Sequence, residues 1–167
     1  IQVDDRTYRD ARLGTEKGGD DVGERARTAG RTMLGATQLA WLKETLDRAG
    51  ERPVIVFMHH PPFKVRLKRM DDISLLEPGH FVEAVAGRRN IRHLFFGHLH
   101  RPVAGSWRGI PISTLRATSH QVALDFVIEG RIPGSHEPPA YGVVLLEEDQ
   151  MIVHMHDFLD RTNTFLL

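Results

Sequence analysis

The sequence predicts an α/β fold with a strand-rich second half. Residues 54–58 form a continuous apolar run that stops at two histidines and two prolines, a pattern typical of a strand buried on both faces. Residues 91–96 form a second run of this kind, and residues 35–50 carry apolar side chains at helical spacing. A helix followed by a buried strand is half of a β-α-β unit, so these observations favour a parallel sheet.

The helix over residues 35–50 is the clearest helical segment. Thr37 is a candidate N-cap, and Gly50 suits the position just beyond the last turn. A second helix is predicted over residues 78–88. The apolar stripe of the first helix consists of Leu39, Trp41, Leu42 and Leu46.

From residue 102 onward, short β-like runs alternate with glycine, proline and charged turns, which predicts a β-meander. Hairpin turns are expected at 107–110 and 147–150, and a loop at 129–140. The basic-then-acidic stretch 63–80 is interpreted as a loop over the strand ends. Its basic side chains could meet a phosphate, but a solvated loop is an equally good interpretation.

The chain of 167 residues is interpreted as a single domain with an irregular lead-in (1–34), an α/β part (35–100) and a β-rich part (101–167). Within the lead-in, Ile1 and Val3 could end a strand with Asp4 and Asp5 at its carboxyl end, although a solvated loop is favoured. The stretch 15–32 is expected to be a mobile loop, in which 18–20 (Gly-Gly-Asp) could bind a metal but a polar turn is favoured.

Composition excludes several classes of protein. Lys+Arg and Asp+Glu are 22 each, so charge offers no argument for a nucleic-acid polymer or a membrane as partner. No apolar run approaches the roughly 18 residues of a membrane span. The absence of cysteine excludes disulfides and thiolate ligands and leaves the compartment open; we expect a cytoplasmic location.

Histidines follow both predicted strands. His59 and His60 come directly after the first strand, and His98 and His100 follow Gly97 after the second. Neutral imidazole is a common metal ligand, and histidines at two adjacent strand ends can share one ion. We therefore favour a metal site over a set of structural histidines. Gly97 would let the backbone turn so that both following rings enter one cleft.

These motifs carry a resemblance. The stretches 58–62 (Met-His-His-Pro-Pro), 97–102 (Gly-His-Leu-His-Arg-Pro) and 113–122, which contains Ser-His-Gln-Val, resemble the last three motif blocks of the calcineurin-like metallophosphoesterases. The branch it most resembles is that of the class III cyclic nucleotide phosphodiesterases, with the glycerophosphodiesterases beside it. The resemblance implies a β-sandwich flanked by helices, with two metal ions (Fe, Mn, Zn or Co) at its edge. A metal-bridging hydroxide would attack a small phosphodiester substrate.

Roles for individual residues follow from this resemblance. It implies that His59 and His98 bind one ion and that His100 binds the other, with His60 a neighbour and not a ligand. His120 matches a histidine near the bound phosphate and is the candidate catalytic residue. The alternative for His120 is a hydrogen-bonded core histidine.

Part of the family pattern is missing. No Asp-x-His and no Gly-Asn-His occurs, and Gly19-Asp20 stands in the wrong place for the bridging aspartate. Residues 1–46 resemble the segment before the late histidine blocks of alkaline phosphatase D-type enzymes, so we expect the carboxyl-terminal portion of a phosphoesterase domain, inactive or weak on its own. Alternatives are a degenerate, non-catalytic binding module and a metal-free structural domain. The substrate stays open, and a homodimer is compatible with the resemblance.

Overall fold

The computed structural model describes residues 1–4, 32–159 and 165. The predictions for residues 5–31, including the mobile loop and the 18–20 metal loop, fall outside this range. Three helices and nine strands are described, in chain order: β1 (Gln2–Val3), α1 (Ala36–Ala49), β2 (Val54–Met58), α2 (Lys68–Asp72), α3 (Gly79–Val85), β3 (Ile91–Phe96), β4 (Val103–Trp107), β5 (Ile110–Thr114), β6 (Gln121–Val122), β7 (Gly134–Ser135), β8 (Ala140–Leu146) and β9 (Met151–Asp157).

A five-stranded sheet in the order β1-β2-β3-β5-β4 forms the centre of the fold. Its first four strands are parallel, and β4 runs antiparallel to β5 at the edge. The α/β class predicted from the sequence is thereby confirmed. Because β2 and β3 are parallel neighbours, with Met58 opposite Phe96, the residues that follow them meet at one edge of the sheet.

Helices α1 and α3 pack on one face of this sheet, and their apolar side chains form the main core with β2 and β3. Leu42 and Leu46 of α1 and Phe81 of α3 are fully buried there with Val56 and Leu94. Burying each such side chain stabilises the fold by roughly 1.5–3 kcal/mol. The stripe predicted for α1 is therefore confirmed at its leucines.

The structure corrects three details of this region. Strand β2 is not buried on both faces, because Phe57 on the face away from the helices is 47% exposed. Trp41 is 40% exposed, and Gln38 takes a place on the buried side of α1 instead. Thr37 lies inside the helix and is not its cap, since Gly35 holds the N-cap position without a side-chain hydrogen bond.

The second half is not one meander. The hairpin β4–β5 joins the parallel sheet, whereas β6–β7 and β8–β9 form separate two-stranded sheets. Both predicted hairpin turns are confirmed: Trp107 pairs with Ile110, and Leu146 with Met151. Of the β-like run at 121–126, only Gln121–Val122 is a strand, and beyond it Asp125 turns the chain by accepting hydrogen bonds from the backbone amides of Val127 and Ile128.

Two loop predictions and one helix prediction also change. The 63–80 stretch contains helix α2, where Asp71 accepts hydrogen bonds from the Val65 and Arg66 amides. The helix predicted over 78–88 is shorter, and the 129–140 loop contains β7 and the first residue of β8. The described residues of the tail, Phe158, Leu159 and Phe165, are exposed. Across the described ranges, no helix has the length and apolar character needed to cross a membrane.

Buried His93 makes the stability of this fold depend on pH. Its ring is 7% exposed, lies 4.2 Å from the Phe95 ring and places Nε2 2.7 Å from Ser113 Oγ. Burial lowers the pKa of His93 from its ordinary value of 6.5. As the pH falls through about 6.5, the unfolded chain gains a proton at this histidine that the folded chain resists. The contribution of His93 to the free energy of unfolding is therefore fully present above that pH and is lost toward acid.

We therefore expect His93→Gln, which cannot titrate, to lose less free energy of unfolding than the wild type between about pH 7 and about pH 5. Urea unfolding at several pH values measures this difference. The other histidines are common to both proteins, so the difference in slope isolates His93. Parallel curves for the two proteins would contradict the prediction.

Candidate metal centre

The predicted histidines lie at the carboxyl edge of the sheet. His59 follows β2, His98 follows β3 after Gly97, and their ring centroids are 5.4 Å apart. Ligands commonly bind at this edge of open α/β sheets because the loops after parallel strands converge there. The parallel register thus brings together two residues 39 positions apart in the chain.

His60 completes a compact cluster. Its ring is 4.7 Å from that of His59 and 4.3 Å from that of His98, and the side chain is 8% exposed. One ring nitrogen from each of these histidines lies within 4.8 Å of the others. The geometry therefore admits His60 as a ligand, whereas the family resemblance implies that it is only a neighbour.

Gly97 is required by close approach and not by an unusual backbone conformation. A Cβ atom at this position would lie 2.9 Å from Nδ1 of His59 and 3.5 Å from its Cε1. Gly97 also donates its amide to the carbonyls of Met58 and His59. The glycine therefore lets the His59 ring lie against the backbone of the second histidine segment.

The left-handed conformations expected at Gly97 occur at the histidines themselves. His98 has φ 65° and His100 has φ 47°. Such conformations cost non-glycine residues roughly 1–3 kcal/mol each and are found preferentially at functional sites. Leu99 between them is 1% exposed and packs in a second apolar cluster with Leu67 and Met70, which anchors the strained turn.

His100 lies next to His120. Its Nδ1 is 2.9 Å from the backbone carbonyl of His120, and the two rings are 4.5 Å apart. A carbonyl can only accept, so this contact places the proton on Nδ1 and leaves the lone pair on Nε2, as ligating histidines require. His120 is exposed, so the alternative of a core histidine is wrong. Its contact with a phosphate stays a prediction.

The histidines open into a cleft of about 830 Å³, within the range of small-molecule sites. The cleft runs along the outer face of the sheet to the β8–β9 hairpin. Asp4 follows strand β1 outside any regular element, has intermediate exposure and lines this cleft. Residues at its polar end are Asp4, His59, His98, His100 and Ser119; its apolar walls include Phe57, Phe95, Val144 and Val153.

Arg116 lines this cleft, but its charge is already paired. Nη1 lies 2.7 Å from Asp157 and Nε lies 3.1 Å from Glu137. Burial works to lower the pKa of Arg116, and the hydrogen bonds to these two carboxylates reverse that effect and raise it. Arg116 therefore joins the end of β5 to the end of β9 and offers no uncompensated charge to an anion.

Two buried glutamines that the sequence did not single out hold the backbone around the site. The side chain of Gln38 bonds both the amide (2.6 Å) and the carbonyl (2.5 Å) of Asp4. That of Gln121 bonds the amide and the carbonyl of Ala117, each at 2.8 Å. Gln38 could have been found, because it lies on the apolar face of α1. No local pattern marks Gln121.

The donor set fits a transition metal. Three imidazoles at two strand ends, with a fourth whose Nδ1 meets a carbonyl, form the kind of donor set that transition metals commonly take. Fold and site together define the class: an α/β protein with a histidine cluster that could bind a metal ion at the carboxyl edge of a parallel sheet. Which histidine binds which ion stays a prediction.

Comparison with known proteins agrees with this class. Residues 3–102 match the family described as calcineurin-like phosphoesterase, which is 100 of the 167 residues. This chain belongs to the calcineurin-like phosphoesterase family. Members of this family use divalent metals, and the histidine cluster accords with that.

Its relatives carry phosphodiesterase names. The chain is 48% identical over 128 residues to a probable cyclic nucleotide phosphodiesterase of Rhodopseudomonas palustris, covering 76% of this chain and 47% of that protein. It is 30% identical over 119 residues to a probable glycerophosphodiester phosphodiesterase of Arcobacter nitrofigilis, covering 70% and 43%. A 3′,5′-cyclic adenosine monophosphate phosphodiesterase of Haemophilus influenzae is 30% identical over 63% of this chain and 39% of its own length. The chain thus spans less than half the length of these curated relatives.

Proposed function

We propose that this chain supplies one wall of a metal-dependent phosphodiesterase site. The observation that carries the proposal is the convergence of His59, His98 and His100 on one cleft at the carboxyl edge of the sheet. Membership of the phosphoesterase family supports phosphoric ester hydrolysis as the reaction.

In this proposal His59 and His98 hold one ion and His100 holds part of a second site. The ions are Fe, Mn, Zn or Co. Bound ions supply Lewis acidity and lower the pKa of water. The protein's own part is to orient the imidazoles, which the carbonyl of His120 does for His100. His120, exposed beside His100, would contact the phosphate or stabilise the leaving group.

The proposed substrate is a cyclic nucleotide. The name of the relative at 48% identity supports this choice, and the name of the Arcobacter relative makes a glycerophosphodiester the alternative. Both are small phosphodiesters that a cleft of about 830 Å³ accommodates. Neutral ligands leave the charge of bound ions uncompensated, which favours an anionic substrate.

Metal analysis after dialysis against Mn²⁺, Zn²⁺ or Co²⁺ tests the proposal. We expect His59→Ala and His98→Ala to remove bound metal, and His154→Ala, at an exposed position of β9, to leave it unchanged. The same samples are assayed with bis(p-nitrophenyl) phosphate, cyclic AMP and glycerophosphocholine. Wild-type hydrolysis of the diesters is expected to be weak, because the sequence lacks the family motif that carries the bridging aspartate, and the histidines alone do not form the two-metal clamp.

The outcomes separate the alternatives. Metal content unchanged in His59→Ala and His98→Ala would indicate a structural histidine domain. Metal bound without any diester turnover would indicate a non-catalytic binding module. Full activity with one metal per chain would contradict the expected weakness of the chain on its own. A cytoplasmic location and a homodimer stay predictions, and sedimentation velocity checks the second.

A further inference from the structure

One short segment, residues 120–122, holds His100 from two sides. The carbonyl of His120 accepts from Nδ1 of the His100 ring at 2.9 Å, and the amide of Val122 donates to the His100 carbonyl at 3.1 Å. The same three residues therefore hold both the ring and the backbone of His100. A shift of this segment would change both the orientation of the ring and the proton on it.

Gln121 closes the loop that carries the His120 carbonyl. It is fully buried, at 0% exposed, and its Oε1 accepts from the Ala117 amide while its Nε2 donates to the Ala117 carbonyl. Its own backbone pairs with Ser135 in the β6–β7 sheet. Both ends of the 117–121 loop are thus tied to one amide side chain.

We propose that Gln121 is a positioning residue that sets the tautomer of His100. By closing the 117–121 loop, it holds the His120 carbonyl where only a protonated Nδ1 can meet it, so Nε2 keeps the lone pair. The inference deepens the proposed function and rests on it only for the step from tautomer to metal affinity. The backbone carbonyl of His120, and not its ring, positions His100 in this arrangement.

A matched pair of glutamines separates positioning from simple packing. Gln121→Glu keeps the size of the side chain and can still accept from the Ala117 amide, but its carboxylate cannot donate to the Ala117 carbonyl. Gln38→Glu makes the same change at the other buried glutamine, whose side chain bonds Asp4 in the same way. Both substitutions bury a carboxylate near the cleft, but only the first touches the loop at His120.

The test is a long-range ¹H–¹⁵N correlation spectrum of the metal-free chain with ¹⁵N-labelled histidine, in which His100→Gln identifies the His100 signals. We expect a single Nδ1–H tautomer in the wild type, in Gln38→Glu and in His120→Ala, which keeps the carbonyl. Gln121→Glu should show a mixture with Nε2–H. Gln121→Asn, which is neutral but too short to reach both Ala117 groups, should show the same mixture and decides the matter if Gln121→Glu fails to fold.

Zn²⁺ titration provides the second reading. Loss of a group that orients a ligating histidine lowers metal affinity by about 10–100-fold, and this loss is expected for the Gln121 variants and not for Gln38→Glu. An unchanged Nδ1–H tautomer in a folded Gln121 variant would overturn the inference. If the tautomer shifts but the wild type binds no metal, the proposed function fails while the positioning role of Gln121 stands.

Discussion

Replacing Gly97 with alanine is expected to lower the affinity of the site for a divalent metal by about 10–100-fold, the range typical of mutations that misorient a ligand. The added Cβ would lie 2.9 Å from Nδ1 of His59, a distance that forces the ring to move. Gly97 does not have a positive φ, so alanine causes no backbone strain of its own. The expected loss comes from the displaced ring.

Gly105→Ala is the matched control. Gly105 lies in β4 of the same sheet, and a Cβ there would meet only Ile112 side-chain atoms at 3.9 Å, an ordinary contact. Isothermal titration with Zn²⁺ and thermal unfolding of both variants measure the effect. Overpacking at Gly97 should also cost roughly 1–3 kcal/mol of stability, whereas Gly105→Ala should leave both quantities near the wild type. Equal metal affinity in the two variants would contradict the role given to Gly97.

At the strained histidines, we expect substitutions that abolish metal binding without lowering the stability of the metal-free chain. His98→Gly and His100→Gly relieve left-handed conformations, so the metal-free variants are expected to unfold at the same free energy as the wild type or up to about 1 kcal/mol higher. The same substitutions remove imidazoles from the site. With metal at 100 times its dissociation constant, the wild type should gain about 2.7 kcal/mol, and the variants should gain little.

Arg108→Gly supplies the reference for the backbone contribution. Arg108 has φ 51° in the exposed β4–β5 turn, at the opposite end of β4 from His100. It should show the same relief of strain and keep the full stabilisation by metal. Urea unfolding with and without Zn²⁺ compares the variants. If His98→Gly destabilises the metal-free chain by several kcal/mol, the strained turn is held by contacts of the ring and not by the anchor at Leu99.

Much of the site follows from patterns that span fewer than ten residues. The strand at 54–58, the strand at 91–96 and the histidines after them are visible as apolar runs that end in polar residues. Their proximity follows as well, because two parallel neighbours bring their carboxyl ends to one edge. The structure confirms the α/β class, and the family match confirms the resemblance.

Several predictions failed because they depend on neighbours distant in the sequence. Phe57 belongs to an apolar run but is 47% exposed, because α1 and α3, in the described part of the chain, pack on the other face of the sheet. The expected meander is divided among three sheets, because strand pairing is chosen by partners and not by strand sequence. From the sequence, His120 could be either a core histidine or a site residue, and its exposure shows that it is not in the core.

The local sequence is enough to place histidines at the ends of two strands, because strand period and proline or glycine stops are properties of a few adjacent residues. Three features required the folded chain: the contact that makes Gly97 necessary, the carbonyl that sets the proton on His100, and the loop closure by Gln121. The residues that these contacts join lie between 4 and 38 positions apart in the sequence. The angle and tautomer of a ligand are decided by such contacts, since no side chain determines by itself which acceptor its ring will meet.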